Sequence, residues 1–204
     1  AKDRIHSISL NKDGSRALMG LRDGTVNYFD MVNGSAIYTF SHNAEIRATD
    51  LSEDGLTGIT GSDDRQVKIW DLKKGTEISS LTLENQVKTV AISASGKLAF
   101  TSAQRERTKV WDIQTGKDKF TFNNRYINYT SATFSQDERF ITAGTFQGEV
   151  RRWNIQSGKE VNKWQAKRRK AYGGAASKAI IDVIDLKNTV VALTSDGLAQ
   201  TFKP

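Results

Sequence analysis

The 204-residue chain carries 30 lysine and arginine residues against 23 aspartate and glutamate residues, a formal net charge of +7, with one proline and no cysteine. The lack of cysteine excludes disulfides, cysteine-bound zinc, iron–sulfur clusters and thiol nucleophiles. No uncharged apolar stretch approaches the roughly 18 residues of a membrane-spanning helix, and a composition that is 37% hydrophobic and 26% charged favours one globular domain over disorder.

The chain consists of repeats. An aromatic residue followed by a polar one recurs in steps of 41, 41, 42 and 49, at Phe29, Trp70, Trp111, Trp153 and Phe202. The first four of these are followed by Gly34, Gly75, Gly116 and Gly158, and a turn-forming pair begins at Asp13, Asp54, Ser95 and Asp137. Both of these series recur in steps of 41, 41 and 42, so the three together establish a repeat of about 41 residues.

Within each repeat the pattern predicts short β-strands. In the first repeat, residues 5–10 alternate apolar and polar side chains, and residues 16–21, 25–29 and 36–40 are rich in residues that suit strands. Turn signals such as Asp13-Gly14 and Asp23-Gly24 separate them. Four strands joined by short turns predict an antiparallel meander in every repeat.

The second repeat carries the best copy of a motif, at Ser41-His42, Ser52-Glu53-Asp54-Gly55 and the run from Thr60 to Trp70-Asp71. With these residues the chain resembles, over its whole length, the WD-repeat β-propeller family. The resemblance implies an all-β propeller of four-stranded antiparallel blades, with a buried structural tetrad of His42, Thr60, Asp64 and Trp70 joined by hydrogen bonds. Other repeats depart from the motif, with Phe29, Arg105 or Gln147 at tetrad positions. The tetrad is therefore expected in the second repeat alone.

The repeat units lie at about 4–43, 44–82, 83–122, 123–164 and 179–204, within one propeller domain that covers 1–204. The fifth unit contains only three predicted strands. Because most members of the family close with seven blades, the resemblance favours the C-terminal part of a larger ring, with the missing blades supplied by the rest of the chain or by a partner. A closed five-bladed ring and an arc completed by a partner chain are the alternatives.

An insertion at residues 165–178 breaks the period, and it contains Lys167, Arg168, Arg169, Lys170 and Tyr172. Insertions in repeat proteins map to loops, often on the binding face, so these residues are predicted to contact partners. The resemblance places Arg65, Arg105, Arg107 and Arg125 in loops of the same face, and they complete the predicted set. The alternative is a solvated loop without a partner, since adjacent like charges repel. Acidic residues outnumber basic ones on the rest of this face, which argues against a dedicated nucleic-acid surface.

Two further expectations concern side-chain environments. The positively charged residues of the third strands are expected to be solvated on the outer face: Lys68, Lys109, Arg151 and Arg152. Tyr129 and Phe146, in or beside loops, are expected to be buried against neighbouring blades.

Catalytic motifs are not found. His6 has no acidic or nucleophilic neighbour in sequence, His42 is accounted for by the tetrad, and Asp63-Asp64 forms a turn with too few ligands for a metal ion. No catalytic residue, cofactor or metal is therefore predicted.

The predicted function is that of a non-catalytic scaffold or adaptor, a complex subunit that binds protein or peptide partners, acidic ones included, through its loops and rim. The alternative is a subunit of a ribonucleoprotein or chromatin assembly that contacts nucleic-acid phosphates through the basic loop. An intracellular location, cytoplasmic or nuclear, is expected, and an exported one stays open because a chain without cysteine suits either redox environment.

Overall fold

The computed structural model describes residues 3–122, 126–167, 178–186 and 189–204. The regular elements of these residues are all β-strands, grouped into five antiparallel sheets that we call blades one to five. Blades one and two comprise β1 (Ile5–Leu10), β2 (Arg16–Leu21), β3 (Thr25–Asp30), β4 (Ser35–Ser41), β5 (Ile46–Leu51), β6 (Thr57–Ser62), β7 (Gln66–Asp71) and β8 (Thr76–Thr82). Blade three comprises β9 (Val87–Ile92), β10 (Leu98–Ala103), β11 (Lys109–Asp112) and β12 (Asp118–Thr121). Blades four and five comprise β13 (Tyr129–Phe134), β14 (Phe140–Thr145), β15 (Glu149–Asn154), β16 (Glu160–Gln165), β17 (Ile180–Leu186), β18 (Thr189–Thr194) and β19 (Ala199–Phe202).

Each blade is a meander in which consecutive strands pair. Blades one to four have four strands, and blade five has three in the described part of the chain. This architecture confirms the all-β fold class of four-stranded antiparallel blades that the sequence predicts.

The chain forms two compact units, which we describe separately. The first unit, Ala1–Tyr126, contains blades one to three, and the second, Ile127–Pro204, contains blades four and five. In the first unit, β5 packs on β1 and β2, and β9 packs on β5 and β6, so each blade covers one face of the blade before it. In the second unit, β17 packs on β13 and β14 in the same way.

The cores lie between these stacked blades. One cluster joins Tyr28 of blade one to Leu51 and Leu72 of blade two, and another joins Ile69 of blade two to Ile92 of blade three. Alternation along a strand turns successive residues to opposite faces, so Ile69 packs in the cluster with blade three and its neighbour Trp70 in the cluster with blade one.

The two expectations about aromatic residues have different outcomes. Tyr129 is fully buried, which confirms the prediction, and its ring packs edge-on against Trp153. The prediction for Phe146 is wrong, because this residue lies in the turn after β14 and is 67% exposed. The turn carries the ring beyond the end of the strand, where the described residues of the second unit leave it open to solvent.

The prediction for Arg152 is also wrong. Arg152 pairs with Thr142 in the register of its blade as Ile69 pairs with Ile59 in blade two, and its side chain is buried in the seam between blades four and five. Lys68, Lys109 and Arg151 are partly exposed and form ion pairs with Glu77, Asp118 and Glu160 respectively.

Candidate binding surface

The structure brings the four predicted tetrad residues into one hydrogen-bond chain in blade two. Trp70 Nε1 donates to Thr60 Oγ1 at 2.9 Å, and Thr60 Oγ1 lies 2.8 Å from His42 Nε2. His42 Nδ1 lies 3.1 Å from Asp64 Oδ2, which also accepts the backbone N–H of Asn43 at 2.9 Å. The chain therefore ties the segment before β5 to the turn between β6 and β7.

Burial determines the protonation of this chain. Burial lowers the pKa of His42, an effect that Asp64 opposes only in part, so the imidazole is neutral at pH 7. For Asp64, burial alone would raise the pKa, but hydrogen bonds from the amides of Asn43 and Gln66 and the adjacent His42 hold it below the ordinary value. A neutral His42 that donates from Nδ1 to Asp64 can accept the Thr60 hydroxyl at Nε2. Each donor then has one acceptor.

Blade three lacks this arrangement. One period after His42, Thr60 and Asp64 the chain has Leu83, Thr101 and Arg105. Among the residues that the structure describes, the buried indole Nε1 of Trp111 has no hydrogen-bond partner. The loops of blade three are joined in another way, since the Glu106 carboxylate accepts the backbone N–H of Glu84 at 3.1 Å without a histidine or threonine between them.

At the end of the first unit that carries the tetrad's loops, the second residue of the first strand of each blade is basic: His6 in β1, Arg47 in β5 and Lys88 in β9. Arg47 Nη2 donates to Asp63 Oδ2 at 2.5 Å and lies 3.2 Å from Glu45 Oε2. These residues, with Arg22, form what we call the rim cluster. The cluster is not among the sites predicted from the sequence, although its basic residues recur with the 41-residue period.

Two carboxylates hold the rim cluster together. Glu45 lies 2.9 Å from His6 Nδ1 and 3.6 Å from Arg22 Nε, and Asp63 lies 3.5 Å from Lys88 Nζ. Burial alone would raise the pKa of Asp63, but Arg47 and Lys88 hold it below the ordinary value. The cationic groups of Arg22, Arg47 and Lys88 stand against two carboxylates, so the cluster keeps a net positive charge.

Predicted binding residues Arg65, Arg105 and Arg107 lie in the turns that follow β6 and β10, and all three side chains are exposed. Arg65 and Arg105 have left-handed backbones, with φ of 72° and 58°. At the equivalent position one period before Arg65, the turn after β2 has Gly24, whose φ is 88°. A non-glycine residue in this conformation is strained by about 1–2 kcal/mol, so both arginines are held at a conformational cost.

In the second unit, the structure describes Lys167 at the start of the basic insertion. The side-chain amide of Gln200 holds it, because Lys167 N donates to Gln200 Oε1 and Gln200 Nε2 donates to Lys167 O, both at 2.8 Å. Beyond the insertion, Ser195 N donates to Ala179 O at 2.8 Å. The predicted residues Arg125, Arg168, Arg169, Lys170 and Tyr172 lie outside the described residues.

Comparison with known proteins identifies the family of these blades. The family model described as the nucleolar protein 10-like N-terminal domain, a β-propeller, matches residues 1–116, more than half of the chain. The chain belongs to this family. No curated protein matches it.

The second unit of this nucleolar protein 10-like chain contains a buried ion pair. Arg152 Nη2 donates to Asp185 Oδ1 at 3.0 Å, Nε lies 2.9 Å from Oδ2, and the hydroxyl of Thr142 donates to the same carboxylate. Burial raises the pKa of Asp185, which Thr142 and Arg152 oppose. The guanidinium of Arg152 lies 4.1 Å from the ring centre of Phe140. The pair occupies the place that apolar residues fill between the blades of the first unit.

A cavity of about 660 Å³ opens beside this pair, lined in part by Arg139, Arg152 and Lys203. Among the described side chains of the lining, Asp137 is the one carboxylate, and Ser135 and Arg139 hold it and lower its pKa to about 2. The lining thus offers an anionic group more partners than a cationic one.

Within the described ranges, no three His, Asp or Glu side chains converge as a metal site would require. The same residues include no helix long and apolar enough to cross a membrane.

Proposed function

We propose that this nucleolar protein 10-like chain is a non-catalytic scaffold that binds acidic segments of protein partners at the rim cluster and the arginine-bearing turns of its first unit. The observation that carries the proposal is the recurrence of a basic residue at one position of three successive blades, His6, Arg47 and Lys88, beside exposed Arg65 and Arg105. A row of this kind presents basic side chains from successive blades to an extended acidic chain.

The construction of the surface supports binding. The tetrad of blade two fixes the turn that carries Arg65, and the carboxylates of Glu45 and Asp63 hold Arg47 in place. Groups that are ordered before binding lose less conformational entropy when a partner arrives. Positive rim charges also speed the approach of acidic partners.

The family name supports a nuclear location and an assembly that contains RNA. A second candidate function follows from it: a subunit of a ribonucleoprotein or chromatin assembly that contacts phosphates through the basic insertion at 165–178. The observation that favours it is the clamp between Gln200 and Lys167, which fixes the first residue of the basic run on β19. This second function, like the first, is non-catalytic.

Affinity capture with the chain, followed by cross-linking and mass spectrometry, tests the first proposal. We expect partner cross-links to concentrate at Lys88 and to persist after RNase digestion. The variant Arg22→Glu with Lys88→Glu should lose these partners. The control, Lys73→Glu with Lys74→Glu, reverses two exposed charges on the turn between β7 and β8 and should keep them.

The second function is tested with single-stranded RNA of mixed sequence in a salt titration followed by fluorescence anisotropy. Phosphate contacts predict a steep loss of affinity between about 50 and 200 mM salt. Charge reversal of Lys167, Arg168, Arg169 and Lys170 should abolish the binding, whereas reversal of Lys73, Lys74, Lys117 and Lys159 should not. If partners persist after RNase digestion but are lost when the charges of the basic insertion are reversed, proteins bind the insertion. That result would contradict both proposals, which assign proteins to the rim cluster and RNA to the insertion.

A further inference from the structure

The cavity of the second unit opens where the seam between blades four and five has no apolar closure. In the first unit, the residues two positions after Trp70 and Trp111 are Leu72 and Ile113, and both are buried in the seams. The same position of blade five is Pro204, which is exposed. A space of about 660 Å³ lies beside it. Small-molecule sites have volumes of about 300–1,000 Å³, so this cavity is large enough to be one.

Cationic side chains from three elements line the cavity. Arg139 precedes β14, Arg152 lies in β15 and Lys203 follows β19. The carboxylates that oppose them are Asp137, in the lining, and Asp185, which lies against Arg152. With both carboxylates ionised, the three cations leave the group with one positive charge in excess.

Arg152 is the buried cation of the lining. Its side chain is 7% exposed, and Nε and Nη2 lie against the carboxylate of Asp185. Its remaining nitrogen, Nη1, has no hydrogen-bond partner among the residues that the structure describes. A buried polar group without a partner is costly, and an anion in the cavity would supply one.

The other two cations are exposed at the cavity. Arg139 Nε donates to Asp137 Oδ2 at 2.7 Å, which orients the guanidinium. Within the described part of the chain, the two terminal nitrogens of Arg139 make no hydrogen bond and Lys203 forms no ion pair. These groups are therefore available to a ligand that also reaches Arg152.

Charge and access select the ligand. One carboxylate brings the group to neutrality, whereas a dianionic phosphate would leave excess negative charge near the buried carboxylate of Asp185. The phosphodiester of a nucleic acid has a single charge, but its two substituents keep it away from a guanidinium as buried as Arg152. Phe140 and Pro204 in the lining offer apolar surface to the stem that carries a carboxylate.

We propose that this cavity binds a carboxylate on a short apolar stem, held by Arg139, Arg152 and Lys203. Such a group is presented by a free organic acid and by an acidic side chain of a protein, and the same contacts serve both. The cavity belongs to the second unit and the rim cluster to the first, so the failure of either proposal leaves the other standing.

Trifluoropentanoate, followed by fluorine NMR, is the probe for this site, and trifluoropentanamide is its uncharged control of the same shape. We expect the acid to bind the chain about tenfold or more tightly than the amide, because hydrogen bonds to charged groups are the stronger ones. Arg139→Gln with Lys203→Gln should weaken the acid by about tenfold and leave the amide unchanged. The control, Lys117→Gln with Lys159→Gln, removes the same charge from two exposed positions outside the cavity and should change neither.

The buried cation is tested with Arg152→Ile combined with Asp185→Leu, which replaces the ion pair by apolar residues. This double variant should reduce the preference for the acid over the amide by about tenfold. Circular dichroism shows whether it is folded. A folded double variant that keeps the preference would overturn the proposal, because the probe would then bind the exposed cations alone. If the double variant does not fold, the result with Arg139 and Lys203 decides.

Competition with the probe separates the two sources of the carboxylate. A peptide with blocked termini and one glutamate that displaces the probe, while its glutamine counterpart does not, assigns the ligand to a protein. Displacement by hexanoate but by neither peptide assigns it to an organic acid. Two results would overturn the assignment to a carboxylate: equal binding of acid and amide, and displacement by inorganic phosphate or single-stranded RNA at a lower concentration than by either acid.

Discussion

Replacement of Thr60 by valine removes the centre of the tetrad without changing its shape. Thr60 Oγ1 accepts the indole N–H of Trp70 at 2.9 Å and lies 2.8 Å from His42 Nε2, and both partners are buried. Valine leaves two buried polar groups unpaired at about 1–3 kcal/mol each, while the added methyl group recovers about 0.8 kcal/mol. We expect Thr60→Val to lower the free energy of unfolding by about 1–5 kcal/mol.

Thr101→Val is the matched control. Thr101 is buried at the same position one period later, and its hydroxyl makes no hydrogen bond within the part of the chain that the structure describes. The control should be neutral or slightly stabilising, because it removes no pairing and buries a methyl group. Urea unfolding followed by tryptophan fluorescence and circular dichroism measures both variants.

The comparison decides whether the tetrad stabilises blade two. If Thr60→Val unfolds at the same urea concentration as Thr101→Val, the hydrogen-bond chain contributes nothing beyond packing, and the reasoning about its orphaned partners is wrong.

The remaining predictions use the same unfolding assay. Arg65→Gly should raise stability by up to about 1 kcal/mol, since relief of the left-handed strain exceeds the entropy that glycine adds to the unfolded chain; a loss would show that the Arg65 side chain stabilises its turn. Because the pKa values of His42 and Asp64 are lowered in the fold, unfolding takes up protons, so the urea midpoint should fall as the pH drops below the ordinary histidine value of 6.5 and again below 3.8; a flat profile over the first interval would contradict the neutral imidazole. Arg152→Ile and Asp185→Leu should each cost about 3–5 kcal/mol, whereas the double variant should recover most of the loss or exceed the parent; additive losses would show that the two side chains do not act as a pair.

The fold could be predicted from the sequence because its signals are local and repeated. The turns, the strand alternation and the aromatic residues recur together, so the period alone separates one blade from the next. The tetrad of blade two follows from residues at fixed offsets from Trp70 within one blade, and the resemblance names all of them. Register within a blade is set by short turns, which leave little freedom.

Contacts between blades were harder to predict. Arg152 is expected on the outer face because arginine is usually solvated. Its position in the repeat, however, is that of Ile69 two repeats earlier, and this position lies in a seam between blades. Its partner, Asp185, lies beyond the insertion that breaks the period, so no fixed offset connects the two. The rim cluster could not be predicted from the sequence for another reason. Its basic residues do recur, but the contacts of Glu45 with His6 and of Asp63 with Lys88 join different blades and therefore depend on how the blades pack.

The Arg152–Asp185 pair has a consequence for assembly of the blades. At the position of Asp185, the other first strands carry Leu10, Leu51, Ile92 and Phe134. Any of these blades that docked on β15 during folding would bury the guanidinium of Arg152 without a counter-ion, a penalty of several kcal/mol. Chains of similar repeats are prone to pair in the wrong order. The complementary charges of Arg152 and Asp185 therefore make this seam specific: blade five can pack beside blade four, whereas the other blades, which lack the aspartate, are disfavoured there.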